Sequence, residues 1–167
     1  MSSKSVTPAR SLSGTITLTP DKSIAQRAAI FSLLHKGPST IYNYSQAKDP
    51  QTTLQCVQNL GANVQIEADK ISIYGVGREG ISALTDELDC GNSGTAMRLL
   101  SGLLTGVGLS IKLIGDHSLS RRTVTRIISP LEMMGAHILA RNGVFAPLHI
   151  SRENPLKALE FTLPIPS

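Results

Sequence analysis

Two short stretches 74 residues apart constrain this chain more than anything else in it. Asn59-Leu60-Gly61-Ala62-Asn63-Val64 and Met133-Met134-Gly135-Ala136-His137-Ile138 run in the same order: a helix end, a glycine stop, then an alternating strand. Self-similarity at a fixed period signals supersecondary units stacked on a shared core. The residues around each stretch extend the match. Asp21-Lys22-Ser23 with Arg27 answers Gly91-Asn92-Ser93 with Arg98, about one repeat later. The expected fold class is therefore α/β (α+β), built from repeated β-α-β-α-β-β units.

Local signals fill in the first unit. Ser13-Gly14-Thr15-Ile16-Thr17-Leu18 alternates polar and apolar residues and reads as a strand. Thr19-Pro20-Asp21-Lys22-Ser23 is a turn with helix-start chemistry, and Ile24 to Leu34 is a helix closed by His35-Lys36-Gly37-Pro38. Ser39 to Tyr44 is a strand. Asp49-Pro50 reads as an N-cap acid with proline at the first helical position, and the helix carries Leu54, Val57 and Leu60 on one stripe. Ala62–Ile66 and Lys70–Tyr74 then pair.

The second unit repeats the order. Leu88 to Cys90 is a short strand, Gly91-Asn92-Ser93-Gly94 a turn, Thr95 to Leu104 a helix and Leu109 to Ile114 a strand. A further helix has Val124, Ile127, Ile128, Leu131 and Met134 on one face, with Pro130 expected to kink or break it. Ala136–Ala140 and Phe145–Ile150 form a hairpin across Arg141-Asn142-Gly143. The segments are residues 1–20 leading in, 21–84 and 85–156 as complete units, and 157–167 as the start of a third. Leu159 to Ser167 reads as that unit's opening strand, stopped at the serine answering Ser23 and Ser93. A strand without its crossover helix marks a piece of a longer protein, and Phe161–Ile165 is expected to fray or pair with a neighbour.

Composition narrows the function classes. The chain has 167 residues and 16 Lys+Arg against 12 Asp+Glu, a net charge of +4. The basic residues are dispersed and aromatics are 4%, so neither a basic arm nor a stacking platform for nucleic acid is visible. Small anions fit better. Cys56 and Cys90 have no metal-ligand spacing and read as small buried apolar residues. The four histidines also lack ligand spacing; His137 and His149 fall on the hairpin and read as structural, and His117 lies in a loop from which it could approach a ligand, the weaker of its two readings. No signal-peptide pattern or bilayer-length apolar run is present, and a cytoplasmic location is expected.

The repeated junctions carry the chemistry. Gly91 and Gly94 let backbone approach a ligand closely, and the following helix start offers N–H groups and a favourable dipole to an anion. Arg98 lies one turn after Gly94, so its guanidinium returns toward the same end. Lys22 as a point charge, Ser23 as a hydroxyl and Arg27 as a fork suit phosphate or carboxylate. The alternative is that Ser23 caps its helix while Lys22 and Arg27 face solvent. Arg121-Arg122 stand near another helix start, where cations oppose the dipole. An anion between them would explain the placement.

Asp21-Lys22-Ser23-x3-Arg27, Gly91-Asn92-Ser93-Gly94-Thr95-Ala96-Met97-Arg98 and Ser118-Leu119-Ser120-Arg121-Arg122 together resemble the N-terminal half of the 5-enolpyruvylshikimate-3-phosphate synthase family. The resemblance runs through nearly the whole chain in order. It implies the enolpyruvyl transferase fold, an inside-out α/β barrel with three such units per domain and the active site in the cleft between two domains. The implied reaction moves the enolpyruvyl group of phosphoenolpyruvate to the 5-hydroxyl of shikimate-3-phosphate, releasing phosphate, with neither metal nor organic cofactor. The implied partners are those two small molecules and the remaining half of the same enzyme, with no nucleic acid or membrane.

By the same resemblance Lys22, Ser23, Arg27 and Ser167 bind shikimate-3-phosphate. Lys22, Gly94 and Arg122 bind phosphoenolpyruvate, and Asn92, Thr95 and Arg98 shape its pocket. The family often has proline where this chain has Leu99, which bears on the pocket and on sensitivity to glyphosate, the family's inhibitor. The acid/base carboxylate and lysine belong to the half not present, so the chain alone is expected to be inert. Two alternatives remain: a non-catalytic small-anion-binding module, and a relative of the UDP-N-acetylglucosamine enolpyruvyl transferase, which shares the fold.

Overall fold

A computed structural model describes residues 3–151 and 155–162. The chain runs α1 (Lys22–Leu34), β1 (Lys36–Tyr42), α2 (Lys48–Asn59), β2 (Asn63–Ile66), β3 (Lys70–Val76) and the single-turn α3 (Gly77–Gly80). It continues with β4 (Glu87–Asp89), α4 (Gly94–Val107), β5 (Ile111–Ile114), a 3-10 turn at Leu119–Arg121, α5 (Thr125–Met133), β6 (His137–Arg141) and β7 (Phe145–Ser151).

The strands form two sheets with related wiring. The first has order β1-β3-β2 and the second β4-β5-β7-β6. In both, one inner strand is antiparallel to its two neighbours: β3 to β1 and β2, β7 to β5 and β6. β4 adds a parallel edge to β5, with α4 as the crossover between them. One aliphatic core joins the units, from Leu33, Val57, Leu60 and Ile73 to Leu88, Met97, Leu100, Leu104, Leu113 and Leu148. This continuity holds the starts of α1 and α4 in a fixed relation.

Several turns follow sequence chemistry closely. Gly61 (φ 104°) and Gly135 (φ 100°) both take the left-handed side after their helices, which explains the glycine in each repeat. Asn142 (φ 53°) and Gly143 (φ 74°) turn the β6–β7 hairpin as an Asn-Gly pair should. α5 runs unbroken through Pro130, so of the two outcomes expected there the helix does not break.

Other expectations are corrected. Residues 13–18 form no strand. They have no partner strand among the described residues, and Ile16 and Leu18 are 79% and 73% exposed, so alternation had nothing to bury against. The first unit is therefore α-β-α-β-β as it stands. Asp49 does not cap α2. The cap is Ala47 with no side-chain hydrogen bond, leaving Asp49 in the first turn and Pro50 one place further in. Pro50 is still tolerated there because first-turn N–H groups have no intrahelical acceptor. α1 ends at Leu34 with His35 as its C-cap, as expected, but β1 begins at Lys36 rather than Ser39. Gly37-Pro38 therefore lies inside a strand that is at the edge of its sheet among the described residues, a place where proline is tolerated. Residues 155–162 are irregular, Phe161 included, and Leu163 to Ser167 fall outside the described residues.

Candidate functional site

The two helix starts are capped by different residues. At α1 the Asp21 carboxylate accepts from the Ile24 N–H at 2.7 Å. At α4 the Ser93 hydroxyl accepts from the Ala96 N–H at 3.1 Å. Asp21, not Ser23, therefore answers Ser93 in position, which corrects the sequence alignment of the junctions and removes the capping role considered for Ser23. Ser23 is left exposed in the first turn of α1.

Gln26 joins these starts. It is only 2% exposed, and its side-chain amide donates to Thr53 Oγ1 of α2 at 2.9 Å and to Ser93 Oγ at 2.8 Å. Thr53 passes its own proton to the Asp49 carbonyl at 3.1 Å. A buried amide with good acceptors is stabilising, and losing them would be costly. Sequence reasoning missed Gln26. Its signal was a polar residue beside Ala25 and Ala29 on the buried side of a helix.

On α1, Lys22 Nζ pairs with Asp49 Oδ2 at 3.1 Å, bridging to the first turn of α2. The pair is open to water, at 56% and 32% side-chain exposure, so it contributes at most about 1 kcal/mol. Arg27 Nη1 donates to the Ser23 carbonyl at 3.1 Å, one helical turn back. Lys22 borders a cavity of about 660 Å³ with Thr19, Asn43, Tyr44 and the β2–β3 turn.

The Gly91–Gly94 turn is fastened far more heavily. Gly91 (φ 53°) donates to Asp89 Oδ1 at 2.7 Å, and its carbonyl accepts from the Asp116 N–H at 2.8 Å. Asn92 donates to both Asp116 oxygens, at 3.0 and 2.8 Å, and its own oxygen accepts from Arg122 Nη2 at 2.9 Å. Arg122 also reaches Ser118 Oγ at 3.2 Å. Hydrogen bonds from the Leu119 N–H and from Asn92 hold the Asp116 carboxyl below its ordinary range. A glycine spacer, an asparagine and an arginine from a separate loop thus form one prearranged unit.

Arg98 folds back over this turn as its spacing required. Its Nη1 lies 3.1 Å from where a side chain at Gly94 would begin. Its Nε is buried without a hydrogen-bond partner among the described residues, and burial followed by the charges of Arg126 and Arg122 lowers its pKa. Arg98 and Arg27 stand together at a groove of about 350 Å³ between α1 and α4, floored by Ile30, Phe31, Leu34 and Leu103. Lys22, Ser23 and Arg27 therefore share one helix start, Gly94 and Arg122 share the other, and Gln26 links the two. Ser167 lies outside the described residues. His117 is exposed.

Comparisons with known proteins bear on the family of the chain. Residues 6–167 match the family model described as EPSP synthase (3-phosphoshikimate 1-carboxyvinyltransferase). The chain belongs to the EPSP synthase family. It is 43% identical over 164 residues to a 3-phosphoshikimate 1-carboxyvinyltransferase of Solibacter usitatus, covering 98% of this chain and 38% of that protein. A Salinibacter ruber protein of the same name is 44% identical over 171 residues, with 98% and 39% covered. The solved EPSP synthase of Acinetobacter baumannii superposes with a TM-score of 0.86 at 34% identity, over 92% of this chain and 35% of that one. The chain thus spans under two-fifths of the length of these EPSP synthase relatives.

Within that family frame, Leu99 sits sixth in α4, inside the helix rather than at its start, and faces the groove beside Phe31. An ordinary residue there keeps the backbone donor that proline would remove. Cys56 and Cys90 are both buried, as expected of apolar side chains. A hydrogen bond with Cys56, then burial, holds the Cys90 thiol above its usual range. Among the described residues no helix is long and apolar enough to cross a membrane, and no cluster of His, Cys, Asp and Glu is arranged to hold a metal.

Proposed function

We propose that this chain carries the substrate-gripping part of an enolpyruvyl transfer site, the reaction being transfer from phosphoenolpyruvate to the 5-hydroxyl of shikimate-3-phosphate with release of phosphate. One observation carries the reading: Arg122 is held by Asn92 and Ser118 beside a glycine turn that opens a helix. Such a constellation suits a phosphate or carboxylate, since fixed donors need no reorganisation when the anion arrives. Gly94 and Arg122 take phosphoenolpyruvate, with Asn92, Thr95 and Arg98 forming the walls. Ser23 and Arg27 take shikimate-3-phosphate, and Lys22 reaches both once it exchanges Asp49 for an anion. Ser167 completes the shikimate-3-phosphate set. Bringing two multiply charged anions together is favoured by several cations around them, and Lys22, Arg27, Arg98 and Arg122 are the cations of this site.

The names of the matched relatives favour shikimate-3-phosphate over a UDP-sugar as acceptor. Proton transfer is a separate matter. Both oxygens of Asp116 accept hydrogen bonds, so it serves the site as a fixed acceptor. The acid and base are assigned to the part of the relatives that this chain does not span, so the chain by itself binds without turnover, in the cytoplasm of a cell that makes its own aromatic amino acids. Calorimetric titration tests this. Shikimate-3-phosphate should bind the chain saturably and lose about tenfold or more in affinity in Arg27→Ala, a charge-assisted bond being worth some 1.5–3 kcal/mol. Equal binding to wild type and Arg27→Ala would overturn the assignment.

A further inference from the structure

The loop that follows β5 is built around Asp116. Its N–H donates to the Gly91 carbonyl at 2.8 Å, and its own carbonyl accepts from the Ser120 N–H at 2.9 Å. Its carboxylate accepts from the Leu119 N–H at 2.8 Å. Leu119 is buried, and it packs so close to Gly115 that a Cβ there would meet its Cδ2 at 2.6 Å and the Gly91 carbonyl at 3.1 Å. The loop therefore fixes Asp116, backbone and side chain, without any help from Asn92.

A carboxylate only accepts, so the edge of Asn92 that faces Asp116 has to be its amino group. Nδ2 lies 3.0 and 2.8 Å from the two carboxylate oxygens. The Asn92 oxygen is thereby turned to the opposite edge, where it accepts from Arg122 Nη2 at 2.9 Å. With the amide reversed, oxygen would face oxygen at Asp116 and donor would face donor at Arg122. The second acceptor of Arg122 Nη2, Ser118 Oγ at 3.2 Å, is as neutral as the first. Among the described residues, Arg122 has no ion pair, and its Nη1 and Nε make no hydrogen bond. A carboxylate set directly on Arg122 would occupy the charge that an arriving anion needs, as Asp49 does with Lys22.

We propose that Asp116 is a positioning residue of this site, which aims Arg122 at the ligand through the neutral Asn92 amide and so leaves the guanidinium charge unspent. The inference rests on the anion-binding reading above and adds to it the group that holds the arginine in place. An exposed arginine otherwise carries rotamer freedom that binding must remove. The relay removes it beforehand.

Two readouts on the full chain test the relay, and the first needs no ligand. Side-chain NMR relaxation should show an ordered Arg122 Nε–H in wild type and a mobile one in Asp116→Asn. That variant keeps the shape and an oxygen for the Leu119 N–H, but sets amino group against amino group at Asn92. Unchanged order would overturn the proposal. The second readout is calorimetric titration with phosphoenolpyruvate. Asp116→Asn should weaken binding about three- to tenfold, but less than about twofold in an Asn92→Ala background, because residues that act through one another do not add. The same loss in both backgrounds would overturn the relay. Exchanging the two side chains, Asn92→Asp with Asp116→Asn, keeps the net charge and the hydrogen bonds but puts the carboxylate on Arg122. Arg122 should then stay ordered while phosphoenolpyruvate weakens about tenfold. Undiminished binding by the exchanged pair would overturn the charge-sparing role. If order is lost in Asp116→Asn while wild type does not take phosphoenolpyruvate, Asp116 still positions Arg122 and the anion reading is what falls.

Discussion

The starts of α1 and α4 are two answers to the same structural problem, and they differ in how much is settled before a ligand arrives. At α1, Lys22 leans on an exposed Asp49 and Arg27 curls back to its own helix. Each contact is single, wet and exchangeable. At α4, Asn92, Asp116, Arg122, Ser118 and the Gly91 carbonyl are tied together by several hydrogen bonds. The first start is a set of mobile donors waiting for a partner. The second is a preformed seat. A ligand at the first must displace protein contacts and order long side chains, whereas at the second that ordering is already done.

Gln26 is the joint between them, and breaking it should have the largest effect. Gln26→Leu removes two buried hydrogen bonds and leaves Thr53 and Ser93 facing an apolar group. Unfolding in denaturant should show a loss of about 2–3 kcal/mol. A near-neutral result would mean that the two starts are held in relation by core packing alone. The Asp116 carboxyl offers a sharper test of the second start. Its pKa is depressed in the folded state, so its stabilisation is complete above the ordinary carboxylate value of about 3.9 and is lost as pH falls through the lower folded value. An acid titration followed by circular dichroism should show that Asp116→Asn flattens the stability profile in this window. An unchanged profile would assign acid sensitivity elsewhere. The smallest effect belongs to the first start. Asp49→Asn should alter stability by less than about 1 kcal/mol, because the ion pair it breaks is solvated. A loss of several kcal/mol would show α1 to be as firmly built as α4.

Much of this contrast was legible in the sequence. Gly61 and Gly135 mark true helix ends, and the return of Arg98 over Gly94 follows from helical spacing alone. What escaped was everything set by neighbours rather than by period. Asp21 and Ser93 do not align as letters, yet they occupy the same cap, because a cap is chosen by which side chain reaches the third N–H. Asp49 looked like a cap and is an ion-pair partner across helices. Residues 13–18 alternate like a strand, but a strand exists only where another offers its ladder. Gln26 was hidden by its polarity, since a stripe is read from its apolar members.

The proline in β1 has a consequence for the behaviour of this protein among its own copies. β1 hydrogen-bonds to β3 along one side, and its other side is a sheet margin on which a foreign strand could propagate. Pro38 has no N–H to lend to such a strand, and Lys36 adds charge at the same end. Any intruder could zip only along the short remainder toward Tyr42. A residue that follows a helix end thus also limits what the margin of the next strand can offer to another chain.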